Sequence, residues 1–213
     1  MSKRYALTEY ESKKLLNAYG LRTTKEVIVH SVDEAVEQSK NLEFPVVLKL
    51  SGEKFAHKTD LGGVKLNLDN ENSVRNAANH FNKKFGGNPL LLSEQVKSSR
   101  EFIAGIARND EYGLILAFGV GGVFTEVVED VVFRLLPASK REIRSMFEDL
   151  VHKDLLGQVR GEPEVDLDEL TEALISISDC AMDREEIFSI DVNPILIDDG
   201  VPIAVDALVE IHE

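Results

Sequence analysis

The sequence has a single cysteine, Cys180, and is short of positive charge, with 24 Lys and Arg against 38 Asp and Glu. One thiol excludes an internal disulfide and a cysteine-rich zinc site, and it suits a reducing cytoplasm, where the chain is expected to reside. Cys180 itself is expected as a small buried side chain in a helix. The formal charge of −14 and a pI near 4.8 argue against nucleic acid or an anionic membrane as the main partner, because both would be repelled. Any basic site must therefore be local. No run approaches the roughly 18 apolar residues of a membrane span. The N-terminal MSKRYALTEYESKK also lacks the apolar core of an export signal. No internal repeat or low-complexity segment occurs, and no G-x-x-x-x-G-K-[ST] phosphate loop precedes a helix.

What is present fits a soluble globular protein of the α+β class. With 213 residues, 43% hydrophobic and 29% charged, the chain can bury one sizeable core or two small lobes. Thr8-x-x-Glu11 and Ser31-x-x-Glu34 are capping boxes that open two helices, with Leu15, Leu16 and Tyr19 on the inner face of the first. Val27 to Val29 and Val46 to Leu48 read as strands, and Val74, Ala77, Ala78, Phe81 and Phe85 follow a helical period. Gly86-Gly87-Asn88-Pro89 is the clearest break, so the lobes are expected at residues 1–88 and 89–213. The second half is richer in strands, over residues 90–96, 101–107, 114–118, 123–128 and 131–136. Helices are expected from Ser139 and from Asp166. Strands then follow over 187–192, 195–197 and 201–208, the last after an Asp198-Asp199-Gly200 turn. Strands and helices mix without strict alternation, which favours α+β lobes over a doubly wound sheet.

The chemistry is concentrated in two stretches. The first is PVVLKLSGEKFAHKTDLGGVKLNL, residues 45–68. Lys49 closes an apolar strand, and a charge there needs an anionic partner, either a side-chain carboxylate or a bound phosphate. A polar loop with Lys54, His57, Lys58, Thr59, Gly62 and Gly63 follows, and glycines with lysines can cover a phosphate. A Gly-Gly hairpin with solvated lysines that binds nothing has the same composition. Flanking cations disfavour protonation of His57, and neutral imidazole is a competent phosphoryl nucleophile. Histidines 30, 80, 152 and 212 show no partner spacing.

The second stretch is Asp191-Val192-Asn193-Pro194 with Asp206 across the expected hairpin. Residues two apart in a strand share a face, so Asp191 and Asn193 point one way and Ile190 and Val192 the other. Oxygen donors so placed suit a hard cation such as Mg²⁺, whereas the plainer reading is a polar pair capping loop backbone. Between the two stretches, Glu94, Gln95 and Val96 could form an adenine slot and Glu101 could accept from ribose hydroxyls. Gly119-Val120-Gly121-Gly122 is followed by a strand pattern rather than a helix, so a dinucleotide fingerprint fails its context. Arg134 and Arg160 are candidate phosphoryl clamps, although ion pairs with the many carboxylates are commoner.

The segments PVVLKL, HKTDLGGVKLNL, FGVGGVFTEVVEDVVFRLLP, RGEPEVDLDEL and DVNPILIDDGVPIAVDALVEI, in this order, resemble the stand-alone ATP-grasp (beta) subunit of ADP-forming acetate–CoA ligase, an NDP-forming acyl-CoA synthetase. The resemblance implies an ATP-grasp fold, two α/β lobes with the nucleotide between them. It also implies a reversible conversion of acyl-CoA, ADP and phosphate into acid, ATP and CoA through a phosphohistidine relay. A separate CoA-binding alpha subunit would complete a heteromeric enzyme. Carried over by motif, Lys49 and the glycines Gly62 and Gly63 would hold nucleotide phosphates. His57, with Lys58 and Arg134, would serve phosphoryl transfer. Asp191, Asn193 and Asp206 would hold Mg²⁺, Glu94 to Val96 would contact adenine, and Glu101 the ribose. One departure is SGEKFAHKTD, where the family more often has a serine-proline pair ahead of the histidine. A self-contained ATP-grasp carboxylate ligase and a non-catalytic nucleotide-binding subunit remain as alternatives.

Overall fold

Helix starts are where the sequence speaks most directly. In the computed structural model, which describes residues 4–52, 61–122, 129–159 and 161–212, each expected cap is made. Helix α1 (Glu9–Ala18) opens with Thr8 and Glu11 bonded reciprocally, Thr8 N donating to Glu11 Oε2 at 2.9 Å and Glu11 N to Thr8 Oγ1 at 3.3 Å. Ser31 caps α2 (Val32–Ser39) by accepting from Glu34 N, while Glu34 Oε2 accepts from the preceding His30 N, so the expected box differs by one residue; Asn70 with Ser73 forms a box on α3 (Glu71–Phe85). Gly86 ends α3 in the left-handed conformation, with φ 74°, that glycine adopts without strain. Ser139 and Glu142 box α4 (Lys140–Asp149), and Asp166 caps α5 (Leu167–Asp183) by accepting from Asp168 N and Glu169 N. Each such cap is worth about 1 kcal/mol.

The strands form two antiparallel sheets, and the chain divides into two units. The smaller unit comprises Thr8–Glu11 and Thr24–Gln95. Its sheet has the order β2 (Glu26–Val29), β5 (Leu90–Glu94), β3 (Val46–Leu50), β4 (Val64–Leu68). Val46, Leu48, Leu50 and Leu92 from the sheet meet Val74, Ala78 and Phe81 of α3 in its core. The expected lobe boundary at residue 88 differs from this division. Gly86 to Pro89 break the helix but not the sheet, because β5 hydrogen-bonds to both β2 and β3.

The larger unit comprises Met1–Leu7, Ser12–Thr23 and Val96–Glu213. Its seven-stranded sheet runs β1 (Arg4–Ala6), β11 (Ala207–His212), β9 (Ile187–Asp198), β6 (Glu101–Asn109), β7 (Gly113–Val120), β8 (Val131–Leu135), with β10 (Val201–Ala204) also on β9. Helices α4 and α5 supply Ile143, Phe147, Leu170, Leu174 and Ile177 to the core on one face. Phe102, Phe118 and Phe147 tie β6, β7 and α4 together, with ring centroids 5.5 and 5.3 Å apart. Cys180 is buried in α5, and burial pushes its thiol up to about 11, so it is not a nucleophile at neutral pH.

Three expectations change. β1 is unannounced in the sequence because three residues are too few to show alternation. The two strands expected around Asn193-Pro194 are one strand, β9, which exchanges partners there, pairing with β11 up to Val192 and with β10 from Ile195. A proline without an N–H is tolerated at such a change of partner. The strand expected over 201–208 is correspondingly cut at Val205 and Asp206. The strand expected over 123–128 lies outside the described residues. Among the described residues no helix is long and apolar enough to cross a membrane.

Phe118 touches both of its aromatic partners and is fully buried, so Phe118→Ala removes two ring contacts and leaves a cavity. The expected loss is about 3–5 kcal/mol, measured by urea unfolding; a loss below about 1 kcal/mol would show that the site collapses around the smaller side chain.

Candidate functional site

Lys49 stands in the middle of its sheet, between β4 and β5, and its ammonium has the anionic partner that its position demands. Nζ lies 2.5 Å from Glu9 Oε1, with the two side chains 5% and 7% exposed. Of the two partners weighed from sequence, the carboxylate is present. Glu9 was not singled out, since it sits in a capping segment where acids are ordinary. The loop after Lys49 returns through Gly62, with φ 68°, and Gly63, whose carbonyl accepts from Leu50 N at 2.8 Å. Lys84 of α3 donates to Leu61 O at 2.9 Å, which adds a basic group to this end that the linear sequence did not indicate. His57 and Lys58, with Lys54 and Thr59, lie outside the described residues.

Glu94 and Gln95 use their side chains within the smaller unit. Glu94 Oε1 accepts from Lys25 N at 2.9 Å, and Gln95 Oε1 accepts from Asn67 N at 2.6 Å, where Asn67 has the positive φ of 57°. Their backbone is also engaged, with Glu94 N donating to Lys25 O at 3.0 Å and Gln95 N to Pro45 O at 3.3 Å. Val96 is half-buried and begins the long segment of the larger unit. Glu101 opens β6, and its carbonyl accepts from Gly121 N at 2.7 Å. Glycines at the end of β7 and just after it permit close backbone approach: a Cβ on Gly121 would lie 3.1 Å from Glu101 backbone atoms, and one on Gly119 only 2.5 Å from Asp130 O.

The alternation expected at the acidic hairpin is present. Ile190 and Val192 are buried while Asp191 and Asn193 are exposed on the opposite face of β9. Asn193 N donates to Asp206 O at 3.1 Å and Val205 N to Pro194 O at 3.0 Å, so Asp206 is held beside Asn193. The protein around Asp191 displaces bulk water, and Asp206 adds a like charge, which together raise the Asp191 carboxyl above its ordinary value. Among the described residues no cluster of three or more His, Cys, Asp or Glu could hold a metal alone. Two carboxylates and one amide instead fit a cation such as Mg²⁺, which takes few protein ligands and draws the rest from phosphates and water.

The structure does not bring Arg134 to these carboxylates. Strand register aligns Asp191, Gly105, Ala117 and Phe133 across four strands, and Ile190, Ile106, Leu116 and Arg134 in the adjacent row. Adjacent rows face opposite sides of a sheet, so Arg134 points to the helix-covered face. There it pairs with Asp149 and donates to Ser145 Oγ at 3.1 Å, both on α4. Arg160 lies outside the described residues.

Two further polar anchors were invisible in the sequence because their partners are distant. Buried Arg100 donates to Leu155 O, Gly157 O and Pro163 O and pairs with Glu162, which shapes the loop ahead of α5. Buried Asp130 accepts from Val151 N and His152 N and meets His152 Nδ1 at 3.0 Å. Its carboxyl stays below its ordinary value despite burial, because these hydrogen bonds favour the charged form.

The raised Asp191 carboxyl has a consequence for stability. The folded protein holds that proton more tightly than the unfolded chain, so stability falls as pH rises from the ordinary carboxylate range through the raised value. Asp191→Asn is expected to raise the melting temperature of metal-free protein near neutral pH and to give no gain at low pH, where the carboxyl is protonated in both states. Thermal melts in EDTA at the two pH values check this. An equal shift at both would assign the effect to packing.

A family model described as an ATP-grasp domain matches residues 1–211. The chain is 36% identical over 202 residues to 4-hydroxybutyrate–CoA ligase [ADP-forming] of Nitrosopumilus maritimus, covering 92% of this chain and 29% of that protein. It is 31% identical to acetate–CoA ligase [ADP-forming] I subunit beta of Pyrococcus furiosus, covering 94% of this chain and 90% of that one. The chain thus spans 29% and 30% of the first two curated relatives it matches and nearly all of the third. Among solved structures it is similar to the dinucleotide-forming acetyl-coenzyme A synthetase 1 of Ca. Korarchaeum cryptofilum in complex with coenzyme A and Ca-AMPCP. That likeness has a TM-score of 0.90 and 33% identity, covering 98% of this chain and 94% of that one. Another structure of that protein, at TM-score 0.86 and 34% identity with 98% and 93% coverage, holds coenzyme A and Mg-AMPPCP, with its phosphohistidine segment pointing towards the nucleotide-binding site. From its first residues to its last, the chain belongs to the ATP-grasp domain family, among relatives named as beta subunits of ADP-forming acetate–CoA ligases.

Proposed function

We propose that this chain is the nucleotide-binding part of an ADP-forming acid–CoA ligase, which moves a phosphoryl group between a phosphohistidine and ADP or ATP. The observation that carries the reading is the exposed pair Asp191 and Asn193 with Asp206 beside it, a donor set suited to the magnesium of a nucleotide complex, in a chain that matches a named beta subunit over 90% of its length. A CoA-binding alpha subunit is the partner this requires, supplied as a separate chain or as the remainder of a longer polypeptide. Relatives of both lengths support either arrangement. The cytoplasm, where nucleotides and CoA are abundant, is the proposed location.

The chemistry assigned to each group follows from its charge. Lys49 is a fixed ammonium at the end of a buried strand; nucleotide phosphate oxygens would share or replace its contact with Glu9. Gly62 and Gly63 let backbone approach an anion closely. The backbone of Glu94 to Val96 is the proposed contact for adenine and Glu101 for the ribose. Magnesium bound with Asp191, Asn193 and Asp206 would offset charge on the phosphates. His57, with Lys58 beside it, is the proposed phosphoryl carrier toward ADP. An oxygen of the terminal phosphate of ADP forms the new P–O bond as the P–N bond to imidazole breaks, and the ring nitrogen keeps the electron pair. Alignment of these atoms supplies most of the rate.

The test pairs binding with exchange. His57→Ala is expected to keep Mg-dependent ADP binding in calorimetry. It should lose phosphoryl exchange between ATP and the partner-containing enzyme by roughly three orders of magnitude or more. An unchanged exchange rate would remove His57 from the reaction, and a wild-type chain that takes up no ADP in the presence of Mg²⁺ would end the proposal as a whole.

A further inference from the structure

Lys13 is 1% exposed and is the bulkiest of the fully buried side chains among the described residues. It sits in α1, one turn after the Thr8 cap, where leucine or methionine would fill the same volume without burying a charge. A lysine kept there implies work for its ammonium. Nζ donates to Val205 O at 3.0 Å.

That carbonyl belongs to the peptide that leads into Asp206. Val205 and Asp206 lie between β10 and β11, outside both strands, so no regular ladder fixes their conformation. Hydrogen bonds outside the ladders help to do so. Val205 N donates to Pro194 O at 3.0 Å, Asp206 O accepts from Asn193 N at 3.1 Å, and Lys13 holds the Val205 carbonyl. With both flanking groups bound, the direction in which the Asp206 side chain leaves the backbone is set. The neighbouring Ser12 does a similar task one step along, its Oγ accepting from Val209 N at 3.0 Å, but at a residue that carries no site chemistry.

We infer that Lys13 is a positioning residue for the cation site, which fixes the peptide before Asp206 so that this carboxylate meets Mg²⁺ together with Asp191 and Asn193. The inference rests on reading those three side chains as magnesium ligands.

The test titrates Mg²⁺ against ADP binding by calorimetry in the full chain, with thermal melts alongside, for Lys13→Met, Lys13→Arg, Ser12→Ala and Asp206→Asn. Lys13→Met is expected to need at least tenfold more Mg²⁺ for half-maximal ADP binding, with affinity for ADP in EDTA unchanged. Lys13→Arg should recover part of that loss. Ser12→Ala should melt lower while keeping the wild-type Mg²⁺ requirement, because it loosens the same helix without touching Val205. A Lys13→Met chain that melts low yet keeps the wild-type requirement, while Asp206→Asn raises it, overturns the positioning role alone. If Asp206→Asn also leaves the requirement unchanged, the magnesium assignment itself fails. Should Lys13→Met not fold, Lys13→Arg decides against Ser12→Ala: a shifted requirement in the first only supports the role, and no shift overturns it.

Discussion

The two-residue period of β9 is the constraint on which the larger unit depends. Ile190 and Val192 must enter the core with Ala104, Ile106 and Leu116, and that requirement alone sends Asp191 and Asn193 to the other face. A slip of one residue would bury both polar groups and expose both apolar ones, which the core would not survive. Folding therefore also fixes which face of β9 carries Asp191 and Asn193. The same period explains why Arg134 stands apart: on β8 it falls in the inward row, where α4 supplies Asp149 to meet it.

Buried cations are the second theme of an acid-rich chain. Lys49, Lys13 and Arg100 are each almost fully enclosed. An enclosed charge is tolerated only with acceptors in place, and each has them: a carboxylate for Lys49, a carbonyl for Lys13, and carbonyls with Glu162 for Arg100. These contacts join segments far apart in sequence, since Lys13 reaches residue 205 and Arg100 reaches residue 163. Lys13 and Arg100 thus act on the backbone of connectors, which lie outside the regular ladders and need another means of being fixed.

The unequal legibility of the chain follows from this. Caps, apolar periods and turn glycines are local, so the helix starts and most strands could be read directly. The acidic hairpin could be read because its signal is also local, two polar residues spaced by one in an apolar strand. Long-range partners leave no such mark. Nothing local marks Glu9, Lys13 or Asp130, and only the fold joins them to Lys49, Val205 and His152. The Gly86 to Pro89 break misled for a related reason. Punctuation ends a helix, whereas the extent of a unit is decided by which sheet the next strand joins.

Net charge argues against a long polyanion here but not against a nucleotide, and the distinction is one of length. At physiological ionic strength charges more than about 8 Å apart are largely screened when exposed to solvent. A nucleic acid duplex runs across many such lengths and meets the summed charge of −14 at every step. A nucleoside diphosphate fits within about one or two of them. It experiences only the groups near it, so a few local cations suffice whatever the rest of the surface carries. Two carboxylates that repel one another are then no obstacle to a phosphate ligand, provided a divalent cation arrives with it. The cation satisfies both anionic parties at once, and without it each opposes the other. On the proposed reading, the acidity of the hairpin would make nucleotide uptake conditional on the metal.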